Sequence, residues 1–320
     1  MKQLVVTGAA GFIASNLVRR LNAEGFSNVI IVDRFDNPVK NLNLQGLQYS
    51  EKIDRDEFIE WLKENAAEVE YIFHLGARTD TTEFNFRVFD SLNLSYSKAL
   101  WEVCVHKQIP LLYASSAATY GMGEHGFSDS HQVVKQLKPL NPYGLSKQLF
   151  DMFVIEQQSA PPLWYGLKFF NVYGPHEEHK ARMASVVYHA FNQIKATGKV
   201  KLFQSHHAEF KDGEQLRDFI HVDDVTAICL FLYRNQTANG IYNVGTGKAR
   251  SFNDLVTAIF DALQLEPQIE YIPTPVDIRD KYQYYTRAEM DKLFAAGYPA
   301  DSLLSLEEGV AQYVAYLTAK

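Results

Sequence analysis

At 320 residues the chain is long enough for one large domain or two modest ones, with ample length to bury a core. Its 47% hydrophobic and 22% charged residues are ordinary for a soluble globular protein, and a formal charge of -7 argues against nucleic acid as the main partner. The longest apolar run, residues 227–233, is far too short to cross a bilayer as a helix.

Cys104 and Cys229 both lie in apolar surroundings and read as buried thiols of a reducing compartment; no CxxC or Cys/His cluster suggests a metal. The sequence opens directly on an apolar strand with no signal-peptide pattern, so the expected location is cytoplasmic.

Residues 4–7 form a short β-rich run, followed by Gly8-Ala9-Ala10-Gly11-Phe12-Ile13-Ala14 and a helical pattern through Leu17 and Leu21. Strand, glycine turn and helix make the phosphate-binding opening of a dinucleotide fold. Gly8 permits the tight turn, Gly11 lets the backbone approach a pyrophosphate, and small Ala14 lets the helix sit close to the sheet. The helix then presents free N–H groups and a positive dipole end to the phosphates.

A second strand, residues 29–32, ends in Asp33, where a carboxylate can accept hydrogen bonds from the adenosine ribose. Arg34 follows at once, with Lys40 and Arg55 downstream. A lone aspartate would indicate NAD; basic neighbours accommodate the 2′-phosphate of NADP, which is therefore expected over NAD.

A helix at 56–66 leads to a strand at 70–75 and to Gly76-Ala77, a turn where backbone can pass near the cofactor. A long helical pattern, 90–107, holds Asn93, and the strand 110–114 runs into Ser115-Ser116-Ala117-Ala118-Thr119-Tyr120-Gly121. These alternating units predict an α/β fold, a Rossmann-like doubly wound parallel sheet with its ligand at the carboxyl ends of the strands. Ser116 ends a strand on that side.

Asn141-Pro142 starts the next helix, on which Tyr143 and Lys147 share one face. A free tyrosine titrates near pH ~10. An ammonium ~4 Å away, at an effective dielectric of about 20, stabilises the phenolate by roughly 4 kcal/mol, enough to make it a general base near neutrality. An ordinary surface helix carries the same two residues with no chemistry, so the pair gains meaning from the dinucleotide turn and from Ser116.

A fifth core strand, 167–170, leads into Asn171-Val172-Tyr173-Gly174-Pro175. Beyond it the alternation breaks. Glu177-Glu178-His179-Lys180, a helix at 183–197 and a polar segment at 204–216 read as a region inserted over the site. Residues 217–222 return as a strand, with Asp223 and Asp224 starting a helix. Residues 241–247 form another strand and turn, and the remainder gives two or three amphipathic helices. The expected division is a dinucleotide-binding domain over 1–172, with 217–246 returning to it, and a smaller, mostly C-terminal substrate domain over 173–216 and 247–320.

Thr7-Gly8-Ala9-Ala10-Gly11-Phe12-Ile13, residues 115–121, Tyr143 to Lys147, Phe170-Asn171-Val172-Tyr173-Gly174-Pro175 and Arg217-Asp218-Phe219 together resemble the extended short-chain dehydrogenase/reductases that act on nucleotide sugars. The likeness covers nearly the whole chain, with Ala14 standing for the usual glycine. Residues 113–121, Thr81-Thr82-Glu83, His179-Lys180 with Met183-Ala184-Ser185-Val186, and Gln268-Ile269-Glu270-Tyr271-Ile272-Pro273 resemble, more closely, the branch that epimerises C6 of ADP-glycero-manno-heptose.

That resemblance implies an isomerase that supplies a precursor of the lipopolysaccharide inner core. Its cofactor contacts would be Gly8, Gly11, Phe12, Ile13, Asp33, Arg34, Lys40, Arg55, Leu75, Gly76, Ala77, Asn93, Tyr143 and Lys147. Ser116, Tyr143, Lys147 and Lys180 would carry the chemistry. Ser116, Asn171, Lys180, His189, Phe203, Arg217 and Tyr282 would touch the ADP-heptose, Arg217 suiting bidentate phosphate recognition. A homo-oligomer, a pentamer, is implied as well. Taken without the family, His189 reads as a structural histidine, Lys180 as a phosphate or hydroxyl contact, and Tyr282 as either lid or core.

The implied reaction removes hydride from an exocyclic carbinol carbon and returns it to the other face of the ketone. Rotation about C5–C6 puts the oxygen in two places, which favours two acid/base groups. A 4,6-dehydratase would need carboxylates where Ala117 and Ala118 stand. A UDP-hexose 4-epimerase and a non-catalytic NADP-binding sensor are the remaining alternatives; retention of Ser116, Tyr143 and Lys147 together speaks against the sensor.

Overall fold

The computed structural model describes residues 2–279 and 282–320. Seven strands form one parallel sheet: β1 (Gln3–Thr7), β2 (Val29–Asp33), β3 (Glu51–Asp54), β4 (Val69–His74), β5 (Leu111–Ser116), β6 (Trp164–Phe169) and, late in the chain, Gly240–Val244. Their order across the sheet puts β3-β2-β1 on one side and β4-β5-β6 followed by 240–244 on the other. The inner strands are apolar along their length because helices cover both faces. These helices are α1 (Phe12–Ala23), α2 (Arg55–Asn65), α3 (Tyr96–Lys107), α4 (Pro142–Glu156) and the later Val222–Asn235.

The strand order reverses between β1 and β4, and there a ligand crevice opens at the carboxyl ends. The two turns meet closely. A Cβ on Gly8, whose φ is +69°, would lie 2.6 Å from the Gly76 Cα. Thr7 Oγ1 accepts the Gly76 N–H at 3.2 Å and lies 2.8 Å from His74 Nδ1, while His74 Nε2 lies 2.9 Å from the Ser97 hydroxyl. Burial lowers the His74 pKa to about 3, so this buried link stays neutral. Gly8→Ala is expected to destabilise the fold by more than ~2 kcal/mol, because a left-handed alanine costs ~1–2 kcal/mol before the clash is counted. Denaturant unfolding measures it, and wild-type stability would mean that the turn is looser than these contacts.

Past β6 the chain builds a second layer. The strands β7 (Asn171–Tyr173) and β9 (Leu216–His221) pair in parallel, and β11 (Ala249–Ser251) pairs antiparallel to β9. β8 (Val200–Phe203) pairs in parallel with β12 (Ile269–Ile272). The strand at 240–244 is β10. Helices α5 (Val186–Thr197), α7 (Phe252–Ala262) and α8 (Leu306–Thr318) pack here, while α6 (Val222–Asn235) returns to the large sheet. Ser251 with Asp254 and Ser305 with Glu308 form capping boxes that start α7 and α8.

The apolar interior divides accordingly. One cluster surrounds the seven-stranded sheet and includes Ala288, Met290, Leu293 and Tyr298; the other joins Val187, Phe191, Val256, Ile259, Val310 and Tyr313. The strand at 216–221 therefore belongs to the small sheet, and 288–298 packs on the large one. Strands β8 and β12 leave no pattern in the sequence, since each is four residues long and they pair across roughly seventy residues of chain. Among the described residues no helix is long and apolar enough to cross a membrane.

Candidate active site

Ser116 ends β5, and Tyr143 and Lys147 lie on the first turns of α4. That helix starts where it does because Pro142 sits at its first position and Asn141 Oδ1 accepts the Gly144 N–H at 2.8 Å. Together with Lys180 they line one cavity of about 350 Å³, which also takes in Phe12, Ile13, Leu75, Ala77 and Asn171. Thr79, Met183, Ser185, Val187, Phe252 and Leu255 complete the wall. Of these, Met183 and Ser185 fall in a motif already singled out, and the others carried no polar pattern that would reveal them.

Burial pushes the Tyr143 phenol above its ordinary range; the Ser116 hydroxyl acts against this and the Asp151 carboxylate adds to it. The four-residue spacing on α4 predicts that Lys147 lowers the phenol. Here the Lys147 ammonium donates instead to the Ala114 carbonyl at 2.7 Å, and burial sets the direction of the phenol's shift. Burial also lowers Lys147 to about 8, with Asp151 opposing. Ser116 Oγ accepts the Ala118 N–H at 3.1 Å, which leaves its own proton free to donate.

Lys180 reaches the cavity from a short 3-10 segment, Glu178–Met183, and its ammonium sits 5.2 Å from the Phe12 ring centroid. Burial lowers its pKa and Glu177 opposes that shift. The segment is pinned from below. Glu177, fully buried, accepts the Ser185 hydroxyl at 2.6 Å and the Ser185 N–H. Asn43 donates to the carbonyls of Ala10 and His176, both at 3.0 Å, and Asn16 donates to the Pro175 carbonyl at 2.8 Å. The loop that carries Lys180 thus rests on the glycine turn and α1.

At the far end of β2, Asp33 accepts the Ala10 N–H at 3.0 Å, the Arg34 N–H at 2.7 Å and the Lys40 ammonium at 2.6 and 2.8 Å. Arg34 is exposed and pairs with Asp36 at 2.8 Å. Arg55 pairs with Asp56 at 3.0 Å. Asn93 is buried and holds backbone: its carboxamide bonds Arg78 N at 2.8 Å, Arg78 O at 3.0 Å and the Ser146 hydroxyl at 3.0 Å.

These features fit a dinucleotide. The Gly8–Gly76 approach leaves no room for a Cβ, and Gly11 starts α1 with no side-chain cap, so its N–H groups are free for an anion. Ala14 is fully buried against the sheet and takes the glycine's place without strain. Among the described residues no group of three or more His, Cys, Asp or Glu is placed to hold a metal.

Phe203, Arg217 and Tyr282 form a separate cluster outside the cavity wall. The Arg217 guanidinium lies 5.5 Å from the Tyr282 ring and 5.6 Å from the Phe252 ring, and Tyr282 meets Phe203 edge-on at 6.2 Å. Arg217 also donates to the carbonyls of Leu216 and Gln283. Its neighbour Asp218 is fully buried and anchors the 246–247 turn, accepting N–H groups from Thr246 at 2.7 Å, Gly247 at 2.9 Å and Ala288 at 3.0 Å. His189 lies on α5, half-buried against the Tyr188 ring, and does not line the cavity.

The chain matches the family described as "NAD dependent epimerase/dehydratase family" over residues 4–245. It is 47% identical to the ADP-L-glycero-D-manno-heptose-6-epimerase of Fusobacterium nucleatum, over 99% of this chain and 98% of that protein. It is 45% identical to the enzyme of the same name from Nitratidesulfovibrio vulgaris, over 98% of each. The crystal structure of the Helicobacter pylori ADP-L-glycero-D-manno-heptose-6-epimerase superposes with a TM-score of 0.82 at 29% identity, covering 100% of this chain and 97% of that one.

Proposed function

The chain belongs to the NAD dependent epimerase/dehydratase family, and from that premise we propose that it inverts C6 of ADP-glycero-manno-heptose, passing through a 6-keto sugar. The observation that carries this reading is the presence of Tyr143 and Lys180, two proton carriers from separate elements, on the wall of a single cavity. The nearly full-length likeness to heptose epimerases supplies the substrate.

The glycine turn, the α1 N-terminus, Asp33 and the 75–77 turn would hold the dinucleotide. Bound there, the dinucleotide would supply reversible hydride transfer at C6. Tyr143 handles the C6 oxygen in one orientation, with Ser116 donating to the phenolate and the Lys147 ammonium beside it. Burial favours the phenol, which is the form that donates a proton to the ketone oxygen. After rotation about C5–C6 the oxygen faces Lys180, whose desolvated ammonium releases and takes up a proton more readily than an exposed lysine. Asn171 and the Arg217–Tyr282–Phe203 cluster are the proposed grip on the ADP half, and His189 supports α5. The product is the heptose used for the lipopolysaccharide inner core.

Incubation with ADP-heptose and NADP, followed by NMR of the sugar, tests the reading. Conversion of the C6 epimer is expected. An unchanged heptose, or turnover of a UDP-hexose in its place, would refute it.

NADP is the proposed cofactor in preference to NAD. With Lys40 neutralising Asp33, a 2′-phosphate would take the exposed Arg34 guanidinium as its partner in place of Asp36. Arg34→Ala is expected to weaken NADP binding by roughly 1–3 kcal/mol, the range of a charge-assisted hydrogen bond, and to leave NAD nearly untouched. Calorimetric titration of both cofactors measures this; equal wild-type affinities would end the preference. A homo-oligomer, a pentamer, is also proposed, and sedimentation equilibrium at a monomer mass would exclude it.

A further inference from the structure

Under the active site lies a polar network that the proposed chemistry does not use. Asp151 and Lys168 are both fully buried, with the ammonium 2.6 Å from Asp151 Oδ2. The same oxygen accepts the Ser115 hydroxyl at 2.6 Å, and Oδ1 accepts the Tyr113 hydroxyl at 3.0 Å. Lys168 also donates to Thr119 Oγ1 at 2.7 Å, and the Thr119 hydroxyl donates to the Ser116 carbonyl at 2.8 Å.

The spacing on α4 explains the arrangement. Residues 143, 147 and 151 are successive fourth residues of one helix, so all three present to the same strand. β5 is met at four consecutive positions: Tyr113 and Ser115 by Asp151, the Ala114 carbonyl by Lys147, and Ser116 by Tyr143. A buried ion pair of this kind is a poor source of stability, since desolvation offsets most of its attraction. Geometry is what it supplies.

We infer that Asp151, through its buried pair with Lys168, is a positioning residue of this site: it fixes β5 against α4 so that Ser116 faces Tyr143. The inference rests on the reading of Ser116, Tyr143 and Lys147 as the catalytic set. Among the groups around Lys147, Asp151 is the anion whose charge favours the ammonium. His74 on β4 is neutral, Tyr113 on β5 is held as a phenol by burial, Tyr143 on α4 is pushed the same way, and Lys168 on β6 and Lys180 above are cations. With Lys147 titrating at about 8, losing the Asp151 charge lowers that value towards neutrality, and the charged form is lost at a lower pH.

The test compares D151N/K168M, which removes both charges and leaves no buried ion unpaired, with Ser115→Ala, which removes one hydroxyl and keeps the pair. Thermal unfolding, kcat, the KM for ADP-heptose and the pH profile are read for each. The double variant is expected to lose ~10-fold or more in kcat with KM held within about 3-fold; D151N alone, which removes the anion and keeps the Lys168 cation, moves the alkaline limb to lower pH. Ser115→Ala is expected to lower kcat by a smaller factor with the limb unmoved. A folded double variant with wild-type kcat overturns the inference. Should the double variant not fold, a wild-type kcat in Ser115→Ala overturns it. Tyr143→Phe separates the two claims: an inactive Tyr143→Phe beside a normal double variant sinks only the positioning role, whereas a fully active Tyr143→Phe sinks the catalytic set itself.

Discussion

Tyr143→Phe is expected to slow epimerisation at saturating ADP-heptose by ~10²-fold or more, the usual contribution of a positioned acid/base group. The substitution deletes one oxygen and leaves the ring where it is, packed 6.4 Å from Phe89. Fold and cofactor affinity should therefore hold, and the loss should fall on kcat. Single-turnover NMR of the sugar reads it directly. The phenol is buried and raised in pKa, so phenylalanine also removes a polar group whose partner is Ser116; that relief limits any cost in stability. Turnover within a few-fold of the wild-type rate would remove Tyr143 from the mechanism.

Lys180→Met should bring a comparable fall, with ADP affinity largely kept. Methionine has nearly the length of the lysine stem and can keep packing on the Phe12 ring, so what it removes is the charge and the proton. If Lys180 served only to grip the substrate, the loss would appear in KM while kcat stayed near normal. A Lys180→Met enzyme of near-normal turnover would end the two-group scheme and leave Tyr143 to serve both oxygen positions. The pH profile offers a second readout. Burial lowers the Lys180 pKa, so the wild-type rate should carry an ionisation below the ordinary lysine range that the methionine variant lacks.

The sequence by itself determined six of the seven strands of the large sheet; the short edge strand β3 carried no pattern that marked it. A glycine turn between an apolar strand and a helix, an aspartate at the end of the second strand, and a Tyr and Lys four residues apart are local patterns, because a turn, a cap or one helix face is set by neighbours in the chain. Those elements stand close to where they were expected, and Ser116, Tyr143 and Lys147 do meet in one cavity. Lys180 joins them there, as the wider resemblance implied.

Tertiary structure decided the rest. The pairing of 200–203 with 269–272 and the placing of 216–221 in a small sheet depend on partners far along the chain, and short strands carry no periodic signal of their own. Arg217 and Tyr282 come together beside the cavity, the guanidinium 5.5 Å from the Tyr282 ring and 5.6 Å from the ring of Phe252, which lines it. Sequence distance also hid the Asp151–Lys168 pair and the clamp of Asn43 and Asn16 on the 175–179 loop. Nor could spacing reveal the sign of the shift at Tyr143. A four-residue interval places an ammonium on the same helix face as a phenol, but only the packed interior sets how much water each has lost, and here burial raises the phenol while Lys147 bonds the Ala114 carbonyl.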